Sequence, residues 1–296
     1  MKKLKLLSTG IVLATTIIGF NGSALAQQTD IQSDLQLKSA NYNKTETKLT
    51  TKKGNIIEFG MPRLQPKNNL KSQYSGLNPK TLDSKIKKVD DGIEQTIIIE
   101  PSSSNSTIEI PFEFQNGEYI KLAEDKHGNK SGAGNIFNKE NESIALLSTP
   151  LVDGEKNGKI AADIKNGNIL ELSLESEQIS QPTTMTVTAT ATSYSTYFNS
   201  GSWITRDGMV SLSMNHKPYL TGAAGDFESI TRKLDSWDKL YAKHSGSSKW
   251  KNTGGMKDQY NCHFDTIGSY KNPWNLEPSR PDVSYAATIA AACNPK

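Results

Sequence analysis

The chain has 296 residues, of which 35% are apolar, with 34 Lys and Arg against 31 Asp and Glu. The excess of three positive charges lies within the first 26 residues, which hold three Lys and no acid, so the remainder of the chain is neutral. Nucleic-acid binding proteins need a basic patch or stripe, and we therefore expect no nucleic-acid partner.

Residues 1–26 have the pattern of a secretory signal peptide. The positive start, Met1 to Lys5, is followed by an uncharged apolar run from Leu6 to Phe20 and by small residues that permit cleavage after Ala26. A membrane anchor is the alternative, but the run is about 15 residues and a spanning helix needs roughly 20. The sequence therefore predicts a secreted protein with no stable membrane span.

The composition changes in the last third of the chain. All four Trp and both Cys lie in the last 96 residues. Residues 201–296 carry 12 basic and 9 acidic groups, whereas residues 27–200 carry 19 and 22. Two independent properties change near one place, so we predict a leader at 27–85, a β-rich domain at 86–193 and a C-terminal domain at 194–296.

The segment from 27 to 85 is polar and weakly periodic. Such composition is typical of a flexible or partly disordered leader. Ile56, Ile57 and Phe59 indicate one short strand within it.

Residues 86–193 have the pattern of an all-β domain. Ile93 to Ile99 is rich in β-branched residues, and Thr107 to Phe114 alternates apolar and polar residues. Asn116-Gly117 is a hairpin-type turn after which Glu118 to Leu122 can return. Further short strands and turns follow at Ile144 to Leu147, Asp153-Gly154, Asn157-Gly158, Asn166-Gly167, Ile169 to Leu174 and Met185 to Ala191. These repeated strands predict a small antiparallel, sandwich-like region.

Residues 194–296 predict an α+β domain made of a hairpin and three helices. The hairpin turns at Asp207-Gly208. Asp226 caps a first helix whose apolar residues run from Phe227 to Tyr241 at steps of three and four. Gly254-Gly255 opens the second helix, with an apolar stripe of Met256, Tyr260, Phe264 and Ile267. Pro281-Asp282 opens the third, which continues to Ala292 and whose alanines allow close approach to its neighbours.

Cys262 and Cys293 are the cysteines of a chain predicted to be exported, so we expect them to form a disulfide. Two free thiols are an alternative. A thiol nucleophile assisted by His263 is another, but consecutive side chains on a helix diverge by about 100°. The closed loop of about 30 residues would contribute roughly 3–4 kcal/mol of stability.

The end of the chain resembles a known family. The segments that carry the resemblance are Met256 to His263, Pro273 to Pro278, Arg280 to Thr288 and Ala291 to Pro295, together with Trp203, Ser211 to Ser213 and the helix around Trp237. They are similar to a C-terminal domain of unknown function found in secreted proteins of actinobacteria and other Gram-positive bacteria. The resemblance covers about a third of the chain, from residue 195 to 296. It implies secretion and a true domain, and it brings no activity, substrate or cofactor.

The polar residues of this ending are the candidates for catalysis. His263 beside Asp282, Glu277 or Asp265 would make a general base at the edge of a pocket. Carboxylate pairs that involve Glu277 would suit glycoside cleavage. The alternative is structural, with His263 packed between helices and Arg280 paired with Asp282 to hold the loop.

Trp274 and Arg280 are the candidate binding residues. Trp274 lies in a polar loop and is either an exposed contact of the kind favoured at binding hot spots or a plug at the edge of the core. No nucleophile elbow, zinc motif, phosphate loop or dinucleotide motif occurs, so we expect no metal and no cofactor.

The sequence is compatible with two functions. The first is a secreted binding module that contacts an extracellular protein or a cell-envelope component. The second is a secreted hydrolase or toxin-like effector that acts on envelope or lipid substrates, with His263 as the base.

Overall fold

The computed structural model describes residues 47–66, 80–100, 106–153, 155–156, 160–173, 181–222 and 227–296. From Asn43 onward the chain forms one compact unit. The predicted signal peptide, the Asn157-Gly158 turn and the Asp226 cap lie outside the described residues.

The N-terminal part is built of strands. In chain order they are β1 (Lys48–Thr50), β2 (Ile56–Phe59), β3 (Arg63–Pro66), β4 (Lys80–Thr81), β5 (Ser84–Val89), β6 (Gly92–Ile99), β7 (Ser106–Phe114), β8 (Tyr119–Leu122), β9 (Gly134–Phe137), β10 (Ser143–Leu147), β11 (Leu151–Val152), β12 (Glu155–Lys156), β13 (Ala161–Lys165), β14 (Ile169–Ser173) and β15 (Thr183–Ala191).

These strands form two antiparallel sheets. The first has the order β1-β2-β7-β14-β13, with β3 and β4 attached to it through β7. The second has the order β12-β11-β15-β10-β9-β8, with β6 and β5 attached through β15. One cluster of buried side chains draws on both sheets, including Ile110 and Leu172 from the first and Ile97 and Val187 from the second. The predicted mostly-β fold of the N-terminal part is confirmed.

The alternation of apolar and polar residues in the sequence correctly indicates the buried face of β15. β15 buries Met185, Val187 and Ala189, because successive side chains on a strand point to opposite faces. The Asn166-Gly167 turn closes the β13–β14 hairpin, and both residues have positive φ, at 55° and 76°, a conformation that Asn and Gly adopt more readily than other residues.

The expected return of Glu118 to Leu122 alongside β7 is wrong. β8 pairs with β9 in the second sheet instead. Both edges of β7 are occupied, by β14 on one side and by β2 and β3 on the other. The Asn116-Gly117 turn therefore carries the chain from one sheet to the other.

The segment predicted as a leader contributes β1 to β4 and the start of β5. Ile57 and Phe59 of β2 are buried in the core and pair with Phe114 and Phe112 of β7. The rest of that segment has too little apolar periodicity to reveal strands from sequence, since β4 and much of β5 are exposed edges.

The C-terminal part joins helices to a small sheet. Its elements are α1 (Tyr194–Tyr197), β16 (Phe198–Arg206), β17 (Met209–His216), α2 (Phe227–His244), α3 (Thr253–Cys262), a π-helical turn at His263–Ile267, a 3₁₀ turn at Gly268–Tyr270, β18 (Trp274–Leu276) and α4 (Tyr285–Ala290). β16 and β17 form the hairpin predicted across Asp207-Gly208. β18 adds a third strand alongside β17, which the sequence did not indicate.

The third helix is shorter than predicted. α4 begins at Tyr285 because the Ser284 side chain caps it by accepting the N–H of Ala287. Ala286, Ala287 and Ala290 are exposed, and the buried residue of the helix is Thr288. The expected close packing of the alanine face is therefore wrong.

Hydrogen bonds join α2 to β9 and β10. The Asn135 amide donates to the Thr231 carbonyl at 3.2 Å, and the Ser143 N–H donates to Asp238 Oδ2 at 3.2 Å. Lys239 Nζ donates to the Ser143 carbonyl. Among the described helices, none combines the length and apolar character that a bilayer crossing requires.

Candidate functional site

The disulfide between Cys262 and Cys293 is present, which confirms the prediction. The two Cα atoms are 5.5 Å apart and 31 residues separate them in sequence. The bond joins the end of α3 to the tail that follows α4. Ala292 and Cys293 both have positive φ, at 50° and 64°, an unfavourable conformation for residues with a Cβ that the surrounding contacts hold in place.

His263 is buried at the start of the π-helical turn. Its residue surface is 2% exposed, and Nδ1 lies 2.7 Å from the Gln259 carbonyl oxygen, so Nδ1 carries the proton and donates. The ring also lies 5.9 Å from the Trp274 ring. Burial lowers the pKa of His263, which keeps the imidazole neutral near pH 7.

Asp282 lies at the opposite end of α3 from His263. Its carboxylate sits over Gly254, where an added Cβ would meet Oδ2 at 2.3 Å. Gly254 and His263 are nine residues apart on a largely helical path, roughly 13 Å of axial rise. The structure therefore does not bring His263 and Asp282 together. Asp282 instead lies near Asp258. Burial raises the pKa of Asp258, and the negative charge of Asp282 raises it further.

Glu277 and Arg280 do meet, in the interior. The Arg280 Nε donates to Glu277 Oε2 at 2.8 Å, and the Ser211 hydroxyl donates to Oε1 at 3.3 Å. The side chain of Gln259 bonds both backbone groups of Glu277, accepting its N–H at 2.9 Å and donating to its carbonyl at 3.1 Å. These contacts lock β18 against α3.

Asp265 takes part in a separate surface cluster. Lys233 of α2 contacts its two carboxylate oxygens at 2.9 and 3.0 Å, and the Tyr285 hydroxyl donates to Oδ2. Burial, followed by this bond to Asp265, raises the pKa of Tyr285. The cluster ties α4 to α2 across the π-helical turn.

Trp274 is fully buried on β18. Its indole N–H donates to the Gly268 carbonyl at 3.2 Å, and the His216 ring lies 4.5 Å from its own. Of the two roles considered for Trp274, the structure shows the core position. Thus Glu277 and Arg280 are together, while His263, Asp265 and Asp282 lie in three different settings.

A ladder of aromatic rings leads outward from Trp274. Tyr260 lies 5.7 Å from Trp274 and 5.5 Å from Trp237, and Trp237 lies 6.0 Å from Trp250. Trp274, Tyr260 and Trp237 are buried, whereas Trp250 is partly exposed. The ladder therefore connects the C-terminal core to the surface.

We use the name aromatic platform for Trp203, Trp250 and Tyr241, where the ladder ends. The Trp250 ring lies 6.4 Å from Trp203 and 5.5 Å from Tyr241, nearly perpendicular to both at 89° and 81°. Tyr241 is 44% exposed. The Trp250 indole donates to Thr253 Oγ1 at 3.0 Å, which fixes its orientation.

Polar groups pack closely near the platform residues in sequence. The His244 ring packs against Tyr194, with Nε2 3.2 Å from the Tyr194 hydroxyl. Gly201 leaves room for these groups, because an added Cβ would lie 2.2 Å from the Tyr194 hydroxyl and 2.9 Å from His244 Nε2. Lys249 is exposed nearby in sequence to Trp250. The sequence signal for this site was the confinement of every Trp to the last third of the chain.

A concave site, the junction cleft, lies where the β1–β2 turn, the start of β10 and α2 meet. Its volume is about 160 Å³, and it is lined by Thr51, Lys52, Lys53, Glu142, Ser143, Ile144, Thr192, Ser193, Asp238, Lys239 and Ala242. No local pattern in the sequence indicates this cleft, because its residues come from four distant segments that only the packing of α2 on β10 brings together. Within the described residues, no group of His, Cys, Asp and Glu side chains has an arrangement suited to a metal ion.

No curated protein and no solved structure matches the chain. Residues 198–296 match the model of the family described as "Protein of unknown function (DUF2599)". The C-terminal third of this chain is therefore similar to that family, which confirms the resemblance to a C-terminal domain of unknown function.

Proposed function

We propose that the protein is a secreted binding module that holds a cell-envelope glycan on the aromatic platform. The observation that carries the proposal is the adjacency of Trp203, Trp250 and Tyr241 at the surface end of a ladder rooted in the core. Of the residues considered for catalysis, His263, Glu277 and Asp265 are instead engaged in internal or cross-helix contacts.

The chemistry of the platform suits a sugar. A pyranose ring presents C–H groups on its faces, which pack on indole and phenol rings, and hydroxyls at its rim, which need polar partners. Aromatic side chains supply large contact areas at low entropic cost. Trp237 packs against Trp250 and is itself backed by Tyr260, so binding orders the Trp250 side chain at little entropic cost.

The hydrolase alternative receives less support from the geometry. A general base must lie within hydrogen-bond reach of the proton it removes, and the His263 ring is buried with Nδ1 engaged by Gln259. Glu277 is held by Arg280 and Ser211. For catalysis, both His263 and Glu277 would have to leave these hydrogen bonds and reach a substrate.

Binding to insoluble peptidoglycan and to a soluble N-acetylglucosamine oligosaccharide tests the proposal. The measurements are cosedimentation and isothermal titration calorimetry with the full chain. Tyr241→Ala and Trp250→Ala should each weaken binding by about tenfold or more, which corresponds to about 1.4 kcal/mol. Tyr270→Ala is the matched control, since Tyr270 is 96% exposed and lies outside the platform.

Thermal unfolding of each variant separates lost binding from lost structure. Tyr241→Ala is the decisive variant, because its side chain is the most exposed of the three and its removal should leave the fold intact. Absence of binding by the unmodified protein, or equal binding by it and by Tyr241→Ala and Trp250→Ala, would contradict the proposal.

Export is a separate part of the proposal and has its own test. If residues 1–26 direct secretion, protein recovered from the medium of a Gram-positive host should begin at Gln27. Retention in the cell with Met1 still present would contradict it.

A further inference from the structure

The charges that line the junction cleft do not all cancel one another. Two of its three lysines have acidic partners. Lys53 lies 2.5 Å from Glu142, and Lys239 lies 3.3 Å from Asp235, a fully buried residue one turn earlier on α2. Their charges are therefore balanced within the protein.

One cation and one carboxyl group remain. Within the described residues, Lys52 and Asp238 have no ion-pair partner within 4 Å, although both line the cleft. Among the residues that the structure describes, the Ser143 N–H is the one hydrogen-bond donor to Asp238, at 3.2 Å. Burial raises the pKa of Asp238 and the charge of Asp235 adds to the rise, which together outweigh the Ser143 bond and the attraction of Lys239 and Lys257.

We propose that the junction cleft binds the end of an amino acid or short peptide, with the ligand ammonium on Asp238 and the ligand carboxylate on Lys52. Ile144 and Ala242, which also line the cleft, contact a small apolar side chain. This site is separate from the aromatic platform and does not depend on it.

A zwitterionic ligand fits this lining better than an ion of one sign. A purely anionic ligand would be repelled by the Asp238 carboxylate. A purely cationic ligand would be repelled by the Lys52 ammonium. The cleft of about 160 Å³ is smaller than the roughly 300–1,000 Å³ of drug-sized sites. The ligand is therefore one or two small residues long, or the exposed end of a longer peptide.

The test titrates the full chain with alanyl-alanine, with its N-acetylated form and with its C-terminal amide, using calorimetry. The unmodified dipeptide should bind at least about tenfold more tightly than either blocked form. Lys52→Gln should weaken binding of the dipeptide and should abolish the difference between the dipeptide and its amide. Asp238→Asn should do the same for N-acetylation.

Two controls keep the outcome clear. Lys249→Gln removes an exposed lysine outside the cleft and should leave dipeptide binding unchanged, and Tyr241→Ala should do so as well, which separates this site from the platform. Asparagine at 238 can still accept the Ser143 N–H. If Asp238→Asn nevertheless fails to fold, the N-acetylated dipeptide tests the same contact in the unmodified protein.

Three results would overturn the proposal. They are no binding of the dipeptide, equal binding of the dipeptide and its two blocked forms, and unchanged affinity in a folded Lys52→Gln variant. None of them bears on the glycan proposal, whose variants and probes are different.

Discussion

The Glu277 carboxylate accepts a hydrogen bond of 2.8 Å from the Arg280 guanidinium at a site where the Glu277 side chain is only 3% exposed. Arg280 also donates to the Pro295 carbonyl at 3.2 Å. This pair links β18, the loop before α4 and the last residues of the chain. Two polar residues that sequence placed among the candidates for function therefore act together as an internal clamp.

Removal of one partner of this clamp should be costly. Glu277→Ala leaves the Arg280 charge without its carboxylate, and breaking a buried pair in this way costs about 3–5 kcal/mol. Urea unfolding measures the loss. Asp207→Asn, at the exposed turn between β16 and β17, should change stability by less than about 0.5 kcal/mol. Equal small effects for both variants would contradict an energetic role for the clamp.

The disulfide should stabilise the protein by about 3–4 kcal/mol, because it closes a loop between cysteines that are 31 positions apart in sequence. Cys262→Ser with Cys293→Ser should lower the free energy of unfolding by about that amount. Addition of a reductant should destabilise the native protein and leave the double variant unaffected. A native protein that shows two free thiols after unfolding without reductant would refute the bond.

His263 should make stability depend on pH in the mildly acidic range. Burial lowers its pKa in the folded state from the usual value of 6.5. As pH falls below 6.5, the unfolded chain binds a proton that the folded chain excludes, so this contribution to stability is lost with acid.

The variant His263→Asn isolates that effect, because its amide can still donate to the Gln259 carbonyl and does not titrate. The variant should be less stable than the native protein at pH 7, and the deficit should shrink at pH 5. Chemical unfolding at both pH values measures it. A deficit that is the same at both would mean that His263 titrates alike in the folded and unfolded states.

Asn135 should matter for the attachment of α2 to the sheets. Its buried amide bonds Ser143 Oγ at 3.1 Å and the Thr231 carbonyl at 3.2 Å, so Asn135→Ala should cost about 1–3 kcal/mol. Asn199→Ala, at an exposed position of β16, is the control. Unfolding followed by tryptophan fluorescence and by circular dichroism provides the measurement. An unchanged midpoint in Asn135→Ala would contradict the role of this contact.

Local patterns accounted for much of the architecture. Alternation located β7 and β15, the Asn166-Gly167 and Asp207-Gly208 turns closed their hairpins, and the period of three and four located α2. These features depend on neighbours close in sequence. Pairing across long distances did not follow from them, as the placement of β8 in the second sheet and the addition of β18 to β17 demonstrate.

For the candidate sites too, some features followed from the sequence and others only from the tertiary structure. The cysteine pairing followed from two residues in a chain predicted to be exported, and the crowding of Trp into the last third pointed to the domain that bears the aromatic platform. The burial of His263 and Trp274, the clamp of Glu277 with Arg280 and the junction cleft did not follow from any local pattern. Polarity and spacing describe what a side chain can do, and only the packing of α2, α3 and β18 against their neighbours decides whether solvent and a ligand can reach it.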